Sequence, residues 1–261
     1  MGKLQQIIDY ISFIGQSNNS HGIHSPFVFN LYNEVVNVKK DYYFFGPIES
    51  LRATYLNNHQ DVDMIDLGAG SSLGKAGKRR LSKIASTSLQ SPKNAALLFR
   101  LVDCFQPKNI IELGTSLGIT TCYLAKAVKS AKILTIEGNP SLSAIATEGF
   151  KKMGISNIVS KTGSFENHFL ATLIDMQQAD FILFDGNHRL KPTLQYFNEA
   201  LPFAHENSVF VFDDIYWSEE MKAAWHEIKK HSKVTITIDL YEMGLVFFRT
   251  GQNKQHFKLR V

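Results

Sequence analysis

The chain has 261 residues, 44% hydrophobic and 20% charged, with a net charge of +4: room for one large α/β domain plus an appendage. The positive charge is scattered, its densest cluster being only Lys78, Arg79 and Arg80, so nucleic acid is not expected as a partner. No apolar run approaches the roughly 20 residues of a membrane span, and the N-terminal stretch carries Asp9 with no cleavage-site pattern, so neither a membrane partner nor a signal peptide is expected.

Residues 1 to 60 read as helices with polar breaks. Leu4, Ile7, Ile8, Ile11 and Ile14 form a helical stripe that ends near Gly15. His21 and His24 follow in a loop, where a local structural role is preferred to metal binding. Ser25-Pro26 can cap and start a second helix. Tyr42, Tyr43, Phe44 and Phe45 beside Gly46-Pro47 suit core packing better than a substrate pocket. The segment V-D-M-I-D-L-G-A-G-S-S-L-G, residues 62–74, places Asp66, Gly68, Gly70 and Gly74 in a spacing close to a nucleotide-binding loop. Lys75 to Arg80 then bring four positive charges and no apolar helical face, so a flexible loop or lid is expected. Ser91-Pro92 starts an amphipathic helix with Ala95, Leu98, Leu101, Val102 and Phe105 on one face, ended by Pro107. Cys104 and Cys122, both on apolar faces, fit a reducing compartment and an expected cytoplasmic location.

Asn109 to Val128 is the stretch around which the chain is organised. Ile110, Ile111 and Leu113 suit a buried parallel strand, Gly114 and Gly118 bracket a turn, and Ile119 to Val128 continue with helical spacing. Such a unit sets backbone N–H groups and a helix N-terminus at the carboxyl end of a strand. Glu112 stands in the strand where an apolar residue would be usual. The glycines read G-x-x-x-G and not G-x-G-x-x-G, so a ligand with a carboxylate and a ribose but no phosphate fits best. Lys132 to Ile136 is the next strand, ending in Glu137, 19 residues after Gly118, where an acid reaches ribose hydroxyls. Ser164, in the loop after the short strand Asn157 to Ser160, is a candidate adenine contact. Phe181 to Phe184 delivers Asp185 and His188; after a helix near Pro192, Ser208 to Phe212 delivers Asp213 and Asp214. Lys233 to Ile238 and Leu245 to Arg249 read as a hairpin.

From about Ser91 onward the chain resembles the class I S-adenosylmethionine-dependent methyltransferases, nearest the catechol and caffeoyl-CoA O-methyltransferase-like group. The resemblance rests on S-P-K, E-L-G-T-S-L-G, Glu137, F-D-G-N-H and F-D-D-I-Y-W. It implies an α/β Rossmann-like fold: a seven-stranded, mostly parallel sheet with a C-terminal antiparallel hairpin. Residues 1–90 would form a helical recognition region and 91–261 the S-adenosylmethionine-binding domain. The implied cofactor contacts are Glu112, Gly114, Thr115, Ser116, Gly118, Glu137, Ser164 and Asp185. Metal-dependent members carry an aspartate at Asp185 and an Asp-Asn pair where this chain has Asp213-Asp214. Asp185, Asp213 and Asp214 are therefore candidate ligands for Mg²⁺ or another divalent cation. Those members have a lysine where this chain has His188, which with Asp185 is the candidate catalytic pair.

The implied reaction moves a methyl group to a hydroxyl of a small-molecule acceptor, whose proton His188 or a metal-activated site would remove. Two alternatives stay open. Gly114-Thr115-Ser116-Leu117-Gly118 also satisfies the nucleophile elbow of an α/β-hydrolase at Ser116, with Asp213 and His256 following in order. A cofactor-binding protein without catalysis is the other. A homodimer is compatible with the sequence, which does not identify the acceptor.

Overall fold

The computed structural model describes residues 3–19, 22–65 and 77–260. They form two compact units, one of residues 1–38 and 173–261 and the other of residues 39–172.

Helix α1 (Lys3–Gln16) opens the chain. Its face toward its own unit is aromatic: Phe13 is buried, and Tyr10 meets Tyr241 edge-on with ring centroids 4.9 Å apart. Asp9 adds an ion pair to Lys222 at 2.8 Å. Of the stripe read from the spacing, Leu4, Ile7, Ile8 and Ile11 are exposed; Tyr10 and Phe13 dock from another face of the same helix. His24 is exposed, and His21 lies outside the described residues. Helix α2 (Pro26–Leu31) starts as expected, with Ser25 Oγ accepting from the Val28 N–H, and continues as a π-helical turn over Tyr32–Val36.

The 39–172 unit begins with α3 (Phe45–Leu56). Tyr42 and Phe45 pack on Phe99 with centroids 4.5 and 5.1 Å away, so this aromatic cluster is core, while Tyr43 is exposed. Strands β1 (Asp61–Met64) and β2 (Gly77–Arg80) pair antiparallel. The expected loop therefore begins in a strand, and Val62 and Met64 alternate into the core. Asp66, Gly68, Gly70 and Gly74 lie outside the described residues. Helices α4 (Leu81–Ser88) and α5 (Pro92–Phe105) follow. Ser91 Oγ caps α5 through the Asn94 N–H at 3.2 Å, and Gln106, left-handed at φ 48°, ends it one residue before Pro107.

Strand β3 (Asn109–Leu113), helix α6 (Ile119–Ala127), strand β4 (Lys132–Glu137), helix α7 (Pro140–Lys152) and strand β5 (Ile158–Thr162) follow the alternation read from the sequence. The three strands are parallel in the order β3-β4-β5, with Glu112 opposite Thr135. Helix α8 (Phe165–Met176) closes this run.

The other unit holds β6 (Phe181–Phe184), α9 (Leu190–Ala200), β7 (Val209–Asp213), α10 (Glu219–Lys230), β8 (Ile236–Asp239), β9 (Met243–Phe247) and β10 (Gln255–Lys258). Its strands run in the order β10-β8-β9-β7-β6. β6 and β7 are parallel, β9 is antiparallel to both β7 and β8, and β10 lies parallel to β8. The hairpin is thus present, and β10 makes eight strands in the two sets where seven were expected. The architecture is Rossmann-like and mostly parallel.

Candidate active site

In the 39–172 unit the site grows from the end of β3. Glu112 is fully buried, and its Oε2 accepts from the hydroxyls of Thr121 (2.5 Å) and Thr135 (2.6 Å). Burial, opposed by these two hydrogen bonds, raises its pKa to about 7. Its other oxygen, Oε1, has no hydrogen-bond partner among the described residues. A buried acceptor left unmet is costly unless a ligand meets it.

The turn after β3 is held by backbone bonds: the Gly114 and Thr115 N–H groups both donate to the Ile136 carbonyl, and the Gly118 N–H to that of Thr115. Ser116 and Gly118 are left-handed, at φ 49° and 75°. Only glycine fits the second position, since a Cβ on Gly118 would lie 2.6 Å from the Phe150 ring. The Ser116 N–H donates to Glu137 Oε2 at 2.7 Å, and Ser116 Oγ bonds to Ser88 Oγ at 2.9 Å. Thr115 Oγ1 meets Thr135 Oγ1 at 2.5 Å and is buried.

Glu137 is 8% exposed and also accepts from the Asn139 N–H at 2.8 Å. Burial raises its pKa, against the lowering effect of the Asn139, Ser116 and Gly138 N–H groups. Asn139 caps α7 by accepting from the Ser141 and Leu142 N–H groups, and its amide meets Met64 Sδ of β1. The Gly163 N–H donates to the Glu137 carbonyl, which brings Ser164 one residue from that strand end. Glu112, the Gly114–Gly118 turn, Glu137 and the Ser164 loop thus gather at one edge of this unit's sheet. An unmet carboxylate oxygen, a tight glycine turn and a second carboxylate held by backbone N–H groups suit a ligand with an ammonium group and ribose hydroxyls.

The hydrolase alternative has no support. Ser116 Oγ is bonded to Ser88, and the ring of His256 is bonded to Thr237 at 2.7 Å.

In the other unit, β6 and β7 end beside each other and carry the acids. His188 Nε2 lies 3.8 Å from Asp185 Oδ1 and 4.0 Å from Asp214 Oδ2, ion-pair separations too long for hydrogen bonds. Two left-handed residues set this arrangement, Asn187 at φ 54° and Asp214 at φ 57°. Such backbone costs about 1–3 kcal/mol per residue and gathers at functional sites. The Asn187 amide donates to Tyr196 Oη at 3.2 Å, while its Oδ1 is buried without a partner. Burial pushes the His188 pKa down, opposed by Asp214, and burial pushes the Asp214 carboxyl up.

Asp213 is only 5% exposed, at the end of β7 opposite Met243. Among the described residues no three His, Cys, Asp or Glu side chains come together as a metal-holding group. Of the three candidate ligands Asp185, Asp213 and Asp214, the first and last lie beside the imidazole of His188. Neither Asp213 nor Asp214 caps α10, whose cap is Ser218, accepting from the Met221 N–H.

Sequence reasoning missed Ser88, Asn139 and Asn187. Asn139 was legible as an Asn-Pro helix start; Ser88 and Asn187 carry no sequence signal.

Residues 111–215 match a family model described as a methyltransferase domain. The catechol O-methyltransferase of Niastella koreensis is 27% identical over 150 residues, covering 57% of this chain and 65% of that protein. The match thus spans just under two thirds of that relative's length. In fold, the chain is similar to the Bacillus cereus O-methyltransferase solved in complex with SAH (TM-score 0.57, 16% identity, 83% of this chain and 94% of that one). It is also similar to the O-methyltransferase TomG of Streptomyces achromogenes in complex with SAM (TM-score 0.56, 19% identity, 84% and 95%). With E-L-G-T-S-L-G and Glu137 at the ends of adjacent parallel strands, residues 111–215 are thus similar to a methyltransferase domain, in a fold similar to that of solved O-methyltransferases.

Proposed function

We propose that the chain transfers the methyl group of S-adenosylmethionine to a hydroxyl of a small molecule, with His188 accepting the hydroxyl proton. The observation that carries this reading is the Ser116 N–H bond to Glu137. It locks the glycine turn to the acid of the neighbouring strand end in one binding edge. S-adenosylmethionine supplies an electrophilic methyl on a sulfonium when bound.

The chain's own residues do the rest. Glu137 receives the ribose hydroxyls; its carboxylate, held by the Ser116, Asn139 and Gly138 N–H groups, still has lone-pair capacity for a ligand. Glu112 Oε1 and the Gly114–Gly118 turn receive the methionine end, and Ser164 borders the adenine. The acceptor O–H bond breaks as the O–CH₃ bond forms, the S–CH₃ bond breaks to leave a thioether, and the proton passes to His188. Burial keeps His188 in its neutral, proton-accepting form, and Asp185 and Asp214 steady the imidazolium it becomes. In this reading no step is assigned to a metal, and the proton goes to His188.

The test is formation of S-adenosylhomocysteine from S-adenosylmethionine across a panel of phenolic and aliphatic hydroxyl compounds. Turnover with at least one, lost in Glu137→Ala, supports the reading. Tight cofactor binding with no turnover on any acceptor would favour a non-catalytic protein.

A further inference from the structure

The β8–β10 edge carries a second polar cavity, of about 250 Å³, lined by Lys229, Thr237, Asp239, His256, Lys258 and Gln16. The strand register pairs Thr237 with His256 and Asp239 with Lys258. One face of this strand pair thus presents a two-by-two polar array, where a sheet face against a helix is usually apolar. Thr237 and Asp239 are 1% and 2% exposed. Both are hydrogen-bonded, Thr237 to His256 and Asp239 to Tyr216 and Tyr241, which offsets the cost of burying them and fixes their direction.

The two lysines in the cavity share few acceptors: Lys258 has one and Lys229 none among the described residues. The C-terminal carbonyls of α10 would be a natural partner for Lys229, but Lys254 Nζ takes those of Lys229, Lys230 and His231. Asp239 is occupied by the Tyr216 hydroxyl at 2.8 Å and the Tyr241 N–H at 3.0 Å. Among the described residues, Lys229 Nζ makes no hydrogen bond; its contact is the Trp225 ring, 5.7 Å to the centroid. Lys258 Nζ has a single neutral acceptor, Gln16 Oε1 at 2.7 Å. His256 bonds to Thr237 through Nδ1, and when Thr237 donates, Nε2 carries a proton to offer. Two ammonium groups and an imidazole therefore face one carboxylate whose two oxygens are already bonded. Burial and this crowding push Lys229 and His256 down, Lys258 adding to the first and Lys229 and Lys254 to the second, while Asp239 opposes at Lys229.

We propose that this cavity is a binding site for a small oxyanion, phosphate or carboxylate, held by Lys229, Lys258 and His256. The proposal is independent of the methyl-transfer reading, and its ligand is not the methyl donor. A positively charged cavity with unmet donors binds an anion and is stabilised by it.

The test is calorimetric titration and thermal melting of the full chain with inorganic phosphate, and in parallel with acetate, against chloride at constant ionic strength. A saturable heat with a rise in melting temperature is expected, from phosphate alone if the site prefers a tetrahedral oxyanion and from both if it accepts a planar one. Lys229→Gln should weaken binding at least tenfold while melting no lower than the parent in anion-free buffer, because it removes an unpaired cation. Lys258→Gln should weaken binding as well. Absence of saturable binding by either anion would overturn the proposal, as would affinity unchanged in folded Lys229→Gln.

Discussion

A fully buried carboxyl holds its proton longer than one in water, even when two threonine hydroxyls donate to it and oppose the effect. Glu112 ordinarily ionises near 4.5 and is raised to about 7 by burial. Its folded pKa exceeds its unfolded one, so its contribution to stability is intact below the unfolded value and is lost as pH climbs toward about 7. The loss is on the order of 3 kcal/mol. Glu112→Gln should therefore flatten the fall in melting temperature over that window while weakening S-adenosylmethionine binding. Parallel pH profiles for the two proteins would contradict the burial account. At His188 the direction is opposite: burial lowers the pKa, so the neutral base persists below the ordinary 6.5. The acid limb of kcat/KM should lie below that value, and His188→Ala should lose roughly 10²–10⁴-fold in kcat. Activity of the parent should survive a chelator; collapse under chelation with recovery on Mg²⁺ would show that the aspartates rearrange into a metal site.

The strand–turn–helix of β3 and α6 depends on one backbone conformation. Gly118→Ala would place a methyl against Phe150 at a left-handed position, for a destabilisation of about 1–3 kcal/mol from the backbone alone. Phe150→Leu should recover the steric part of the loss and not the backbone part, which chemical denaturation of the double variant would read out. This unit was legible in the sequence because an apolar run, two glycines and a helical stripe coincide in 20 residues. Other elements were not. β1 and β2 are mostly charged, D-V-D-M and G-K-R-R, and β10 is an edge strand with Phe257 as its one apolar residue. Period-two patterning is absent from β2 and β10, which bury little, and in β1 it spans only four residues, Asp61 to Met64. In α1 the stripe was seen but the face was wrong, because spacing identifies a helix without saying which side finds a partner.

At the scale of the molecule, the candidate residues divide by unit. Glu112, the Gly114–Gly118 turn, Glu137 and Ser164 belong to residues 39–172, and Asp185, His188, Asp213 and Asp214 to the other unit. Their positions at strand ends could be read from the chain, since a parallel α/β order sends successive strand ends to one edge. Their side-chain directions could not. Of the three aspartates at two strand ends, Asp213 is buried while Asp185 and Asp214 flank His188. Asn187 and Asp214 take left-handed backbone with no glycine to announce it. The central claim is that Glu137 and the glycine turn form the S-adenosylmethionine site. Calorimetric titration of S-adenosylmethionine into the parent chain, Glu137→Ala and Asp66→Ala tests it most directly. Losing hydrogen bonds to a charged group, worth about 1.5–3 kcal/mol each, should weaken Glu137→Ala by one to two orders of magnitude. Asp66→Ala should bind as the parent does. Unchanged affinity in folded Glu137→Ala, with binding abolished in Asp66→Ala, would contradict the account and move the cofactor to the other glycine loop.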